Sequence, residues 1–185
     1  RGDAEAFLLW AEGRYAAESE GNMAIVLLDQ GQAAQSWFAS HGRPVDAESL
    51  FQVASVSKWL TAWGVMTLVE DGTWRYSGGS YLILQLVIEE VSGEAFNDYM
   101  RRAVFAPLGM SASTFVDPDP EHLAEIFAAD GSEAVHYRFT ATGAASLYTS
   151  VADLTRFLEA QVERPGAAPG RGVLSPETLE GMHAP

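Results

Sequence analysis

Ser55 and Lys58 stand three residues apart in the stretch Phe51-Gln-Val-Ala-Ser-Val-Ser-Lys-Trp-Leu60. At the start of a helix, residues at this spacing share a face, so the hydroxyl and the amine can hydrogen-bond. Burial and the positive end of the helix dipole both favour an uncharged amine there. Such an amine can take the proton of a serine hydroxyl, a nucleophile that is weak by itself. Backbone N–H groups at the helix start also face the oxyanion that attack on a carbonyl would create. One short segment can thus supply a nucleophile, its base and half of an oxyanion hole. Lys58 is moreover the only lysine among 11 basic residues; the other ten are arginine. Arginine stays charged at any useful pH, whereas lysine can be neutralised. A need for a titratable amine explains the exception, and drift in a GC-rich gene that spared one lysine explains it equally well. With 15 serines in 185 residues, a serine three positions before a given lysine arises by chance about 8% of the time. On these four residues alone, a capping serine beside a snorkelling lysine is the simpler account.

Composition narrows the alternatives. The chain of 185 residues is 48% hydrophobic and 19% charged, which suits one packed domain rather than a disordered segment. Its net charge of −14, from 25 acids against 11 bases, repels phosphate backbones and argues against nucleic-acid or anionic-membrane partners. The chain has no cysteine, which removes disulfides, thiolate metal sites and cysteine nucleophiles. The four histidines (41, 122, 136 and 183) never form H-x-x-x-H or H-E-x-x-H, so a zinc helix has no support. No metal or organic cofactor is implied. The longest apolar run, Tyr81 to Ile88, is interrupted by Gln85 and falls short of the roughly 20 residues that span a bilayer. The first residue is Arg1 and no apolar leader with a cleavage site follows, so any targeting segment is expected to have been removed or never present.

The elements that must position Ser55 and Lys58 follow from periodicity and turn signals. Residues 1–20 carry Phe7, Leu8, Trp10, Ala11 and Tyr15 near helical spacing. Met23 to Leu28 and Ala34 to Ser40, joined by Asp29-Gln-Gly31, predict a β-hairpin. A helix is expected from about Ser55 to Asp71, with Trp59, Leu60, Trp63, Met66 and Val69 on its apolar positions; Trp59 and Trp63 read as core, and Ser57 as a capping or supporting hydroxyl. Tyr81 to Val91 is apolar on nearly all sides, which predicts a buried helix. Ala95 to Val104 predicts another, closed by Pro107-Leu-Gly109. Residues 116–121 and 140–149 read as loops, and 164–172 as a flexible Pro/Gly/Ala-rich connection. Ser150-x-x-Asp153 and Ser175-Pro176-Glu177 are start signals for two last helices.

Several segments taken in order carry a resemblance. After Ser55-Val-Ser-Lys58 come Tyr76-Ser77-Gly-Gly-Ser-Tyr81, Ile88-Glu-Glu-Val-Ser-Gly93, Phe105-Ala-Pro-Leu-Gly-Met110, Ala141-Thr-Gly-Ala-Ala-Ser-Leu-Tyr-Thr-Ser-Val-Ala-Asp-Leu154 and Leu174-Ser-Pro-Glu-Thr-Leu179. From about Met23 to Met182 the chain resembles the serine β-lactamase-related family: class C β-lactamases, low-molecular-weight penicillin-binding proteins that act as D-Ala-D-Ala peptidases, and family VIII esterases. The resemblance implies an α+β fold of the β-lactamase/transpeptidase type, an antiparallel sheet flanked by helices plus a mostly helical subdomain. It implies one incomplete catalytic domain over residues 1–185. Residues 1–56 would give the N-terminal helix and hairpin of the α/β lobe, 57–163 the helical lobe, and 164–185 a linker and a returning helix. It implies Ser55 as the acylated nucleophile, Lys58 as its base, and Tyr76, which opens the family's Y-x-N motif, as a second proton carrier. A phenol beside a cationic amine can shuttle a proton to a leaving group; packing alone is the other account of Tyr76, and the better one for Tyr81. A small-molecule acyl substrate is implied, and a periplasmic or secreted location if the chain is like most of the family.

Three departures qualify what the resemblance implies. Gly78 stands where Y-x-N has its asparagine, a substrate-contact position that also touches the lysine; its loss weakens the β-lactamase reading and favours an esterase-like or promiscuous pocket. Lys58 and Tyr76 are only 18 residues apart, and the join near Gly72-Thr73 reads as a missing stretch. The family's K-T-G or H-T-G strand and its C-terminal strands would lie beyond Pro185, so the sequence is expected to be part of a longer chain. The functional expectation is a serine hydrolase acting by acyl transfer on a small ester, β-lactam or D-amino-acid peptide. A non-catalytic relative that binds cell-wall fragments or a partner is the alternative.

Overall fold

The computed structural model of the chain describes residues 3–18, 21–69 and 80–183. Tyr76, Gly78 and the Gly72-Thr73 join lie outside the described residues. Helix α1 (Ala4–Glu18) precedes strands β1 (Met23–Asp29) and β2 (Gln32–Ala39). These form the antiparallel hairpin read from the sequence, closed by Gln30 and Gly31, both at positive φ. Tyr15 packs edge-on against Trp37 at 5.5 Å and joins α1 to the hairpin. Strand β3 (Leu50–Gln52) leads into α2 (Ser57–Val69), followed by α3 (Ser80–Ser92) and α4 (Phe96–Met100). A widened turn over Arg101–Phe105 carries α4 into α5 (Ala106–Leu108), which Gly109 ends at φ +73. Short strands β4 (Ile126–Phe127) and β5 (Glu133–Ala134) pair with each other. A helical turn, α6 (Thr142–Ala145), then leads to β6 (Tyr148–Ser150), α7 (Val151–Ala160) and α8 (Pro176–His183).

The core lies between α2, α4 and α7. Trp63 and Phe157 meet at 4.9 Å, both fully buried, and Phe96 packs edge-on against Phe115 at 4.8 Å. Burying side chains of this size supplies most of the driving force for the fold. The caps read from the sequence are present: Ser150 Oγ accepts from Asp153 N at 3.1 Å, and Ser175 Oγ from Thr178 N at 3.1 Å. Asp153 is itself buried and compensated, accepting from Ala112 N, Ser113 Oγ and the Arg156 guanidinium at 2.7–2.9 Å.

Four expectations are corrected. Helix α3 is not buried on nearly all sides. Ile88 faces the core, but Leu82, Ile83, Leu86, Val87 and Val91 are exposed along the opposite face. Trp59 is 41% exposed and meets the core edge-on at Phe157, with ring centroids 5.3 Å apart. Residues 140–149 are not plain loop, because they contain α6 and the start of β6, which pairs antiparallel with β3. Residues 164–172 are not loose: the Arg171 guanidinium donates to the carbonyls of Glu159, Val162, Ala167 and Ala168, and Gly170 N donates to Ala160 O at 2.7 Å. One arginine adds side-chain donors to the backbone bonds of this segment, such as Ala167 N to Arg164 O at 3.0 Å.

Candidate active site

The site grows out of the β3–β6 ladder. Leu50 pairs with Ser150, Phe51 with Thr149 and Gln52 with Tyr148. One residue further, Val53 N donates to Leu147 O at 3.3 Å. There the chain leaves the ladder and turns. Ala54 takes φ +43, a left-handed conformation that costs a residue bearing a Cβ about 1 kcal/mol. A single 3₁₀ turn over Ala54–Val56 follows, tied by Val56 N to Val53 O at 3.0 Å, and α2 begins at Ser57. Ser55 therefore sits on the turn itself, exposed, one residue after the strained position.

Lys58, in the first turn of α2, is half-buried. Its Nζ donates to Ser55 Oγ at 3.1 Å and to Ala144 O at 3.0 Å. The Tyr81 ring lies below the amine, its centroid 5.7 Å from Nζ, within cation–π range. Ala144 is fixed in turn. Its helix α6 is clipped to α2 by Thr61 Oγ1 donating to Gly143 O at 2.5 Å, and to α3 by Gly143 N donating to Gln85 Oε1 at 3.1 Å. The lysine is thus oriented from two elements that are distant in sequence. Ser57, just inside α2, is fully buried; its hydroxyl donates to Ala54 O and accepts from Leu147 N at 3.0 Å.

The structure brings together Ser55 and Lys58, as the sequence expects, and places the Tyr81 ring, read from the sequence as packing, beneath the amine. Tyr76 and Gly78 fall outside the described residues. Sequence reasoning gave no site role to Ala144, Leu147, Thr61 or Gly143. Three of these act at the site through backbone groups, which have no side-chain signature. The signal that could have found them was the ordered segment Ala141 to Leu154, already singled out for its resemblance. Among the described residues no group of three His, Asp or Glu could hold a metal, and no helix is long and apolar enough to cross a membrane.

A turn that carries a serine, a lysine one helical turn on and a carbonyl that orients it are the geometry on which the comparisons with known proteins bear. A family model described as beta-lactamase matches residues 11–75 and, in a second piece, 72–185. The chain belongs to the beta-lactamase family. The break between the two pieces of the match falls at the Gly72-Thr73 join, where the spacing from Lys58 to Tyr76 is short. This beta-lactamase family chain is 29% identical over 103 residues to a Bacillus subtilis (strain 168) protein that carries the name penicillin-binding protein PbpX; the stretch is 51% of this chain and 26% of that protein. In fold it is similar to the D-alanine carboxypeptidase AmpC of Burkholderia cenocepacia, with a TM-score of 0.77 at 17% identity, covering 97% of this chain and 68% of that one. It is also similar to an octameric penicillin-binding protein homologue of Pyrococcus abyssi, at 0.78 and 18%, covering 99% and 60%. A third neighbour is a beta-lactamase/D-alanine carboxypeptidase of Pseudomonas syringae, at 0.74 and 16%, covering 96% and 69%. The fold is accordingly α+β of the β-lactamase/transpeptidase type. The chain spans 60–69% of the length of these solved relatives and a quarter of the curated one.

Proposed function

We propose that the protein is a serine hydrolase working through a Ser55-acyl intermediate. The observation that carries this reading is the 3.1 Å contact of Lys58 Nζ with Ser55 Oγ, held in place by Ala144 O. In the first step Ser55 Oγ attacks a substrate carbonyl while its proton passes to Lys58 Nζ. The Ser55 N–H lies in the 3₁₀ turn that leads into α2, where the opening backbone amides lack acceptors within the turn and can stabilise the oxyanion. The bond to the leaving group then breaks, and the leaving group takes a proton from Lys58, relayed by the Tyr76 phenol. Water attacks the resulting ester, gives up its proton along the same path and releases the acid with Ser55 restored.

The substrate is a small ester, a β-lactam or a D-amino-acid peptide; two of the solved relatives are a D-alanine carboxypeptidase and a beta-lactamase/D-alanine carboxypeptidase. Gly78 bears no side-chain amide to meet an acylamino group, which favours simple esters over β-lactams and peptides. The test pairs p-nitrophenyl butyrate with nitrocefin and uses Ser55→Ala as control. Turnover of the ester, lost in Ser55→Ala, together with a fluorophosphonate adduct on Ser55 is the expected result. Full activity in Ser55→Ala overturns the mechanism.

A further inference from the structure

Ser57 stands two residues after the proposed nucleophile, and the acyl-transfer chemistry gives it no task. Its hydroxyl is fully buried and has both hydrogen bonds a buried hydroxyl needs, to Ala54 O and from Leu147 N at 3.0 Å. Val53 N also reaches Leu147, at the carbonyl, at 3.3 Å. The residues on either side of Ala54–Val56 are therefore fastened to one residue of another segment. Between the two fastenings Ala54 is held at φ +43, a conformation an alanine leaves when nothing constrains it.

We propose that Ser57 is a positioning residue: by joining Ala54 O to Leu147 N it holds the nucleophile turn in its left-handed conformation and so aims Ser55 Oγ at Lys58 Nζ. The proposal rests on the reading of Ser55 as nucleophile. Rotation at Ala54 swings the peptide that carries Ser55, while Lys58 stays where Ala144 O keeps it. The 3.1 Å contact then opens without any change in the reacting groups. A hydroxyl that merely satisfied the Leu147 amide would have no energetic link to the backbone at position 54. A hydroxyl that opposes strain does have one, because glycine adopts positive φ freely.

The experiment uses the full chain with Ser57→Ala alone and combined with Ala54→Gly. It reads the second-order rate of fluorophosphonate labelling at Ser55 and amide hydrogen exchange at Leu147. Ser57→Ala is expected to slow labelling about 10- to 100-fold and to speed Leu147 exchange. Ala54→Gly in that background is expected to recover labelling by about 5-fold or more, with Leu147 exchange still fast. Labelling of Ser57→Ala within about 2-fold of wild type, or no recovery in the double variant, overturns the proposal. If Ser57→Ala does not fold, Ser57→Cys, which fills the site with a weaker hydrogen-bonding group, takes its place under the same criteria. Absence of labelling in the wild-type chain overturns the acyl-transfer reading itself. Unfolding then decides the clasp: Ala54→Gly stabilising the wild-type chain more than the Ser57→Ala chain supports it, and equal gains in the two backgrounds overturn it.

Discussion

In the proposed mechanism Lys58 has two jobs that an arginine cannot share. Its amine must reach Ser55 Oγ and Ala144 O together, at 3.1 and 3.0 Å, and it must be able to give up a proton. Lys58→Arg keeps N–H donors and most of the stem, so the chain is expected to melt near the wild-type temperature. Ester hydrolysis and fluorophosphonate labelling should nevertheless fall about 10³-fold, within the range that loss of a general base produces. Labelling at the wild-type rate would remove Lys58 from the mechanism. Tyr148, one residue past the Leu147 anchor, offers a test of local electrostatics by pH. Burial pushes its phenol above the ordinary tyrosine value, and the negative charge of Asp117 adds to the shift. The folded chain thus holds this proton more tightly than the unfolded chain. The resulting stability is complete below about pH 10 and is lost as pH rises through the folded value. Thermal melts from pH 8 to 11 should show a shallower alkaline decline in Tyr148→Phe than in the wild type; equal slopes would contradict the assignment.

At the scale of elements, what the sequence made legible depended on local signals. The hairpin was readable because Asp29-Gln-Gly31 separates two apolar runs, and the starts of α7 and α8 because Ser150 and Ser175 cap them. The direction of α3 was not readable. A helix apolar all round gives no hint of which face meets the core, and only the packing of Ile88 decides it. Ile83 and Val91, 61% and 66% exposed, should therefore tolerate lysine at a cost within about 0.5 kcal/mol each, measured by denaturant unfolding. The order in residues 164–172 was equally hidden, since composition cannot show that Arg171 reaches back to Glu159 and Val162. Gly170 gives that segment a sharp test. It lies at φ +82, and a Cβ there would run into the Leu174 carbonyl, a backbone group that cannot step aside. Gly170→Ala should cost about 3 kcal/mol, seen as a drop in melting temperature on the order of 10 °C. The site divided along the same line: Ser55 and Lys58 were legible from a three-residue spacing, while Ala144 and Leu147 contribute backbone atoms brought in from 86 and 90 residues away.

At the scale of the whole molecule, charge is the dominant feature beyond the core. Twenty-five acids face 11 bases, and among the described residues the pairs Arg14–Glu18, Arg101–Asp98 and Arg138–Asp117 are exposed on both sides. Two opposed effects of salt follow. Screening weakens these pairs, each worth about 0–1 kcal/mol, and it also weakens the mutual repulsion of the unpaired carboxylates. The second effect wins by number, because a net charge of −14 leaves repulsion acting between many more groups than the pairs can offset. The Debye length shrinks from about 30 Å at 0.01 M salt to about 10 Å at 0.1 M, which is the range of distances across a domain of this size. The melting temperature at pH 7 should therefore rise as NaCl goes from about 0.01 to 0.3 M, with most of the gain below about 0.1 M. A fall over that interval would mean that the exposed pairs, and not the excess of acids, govern the stability of the folded chain.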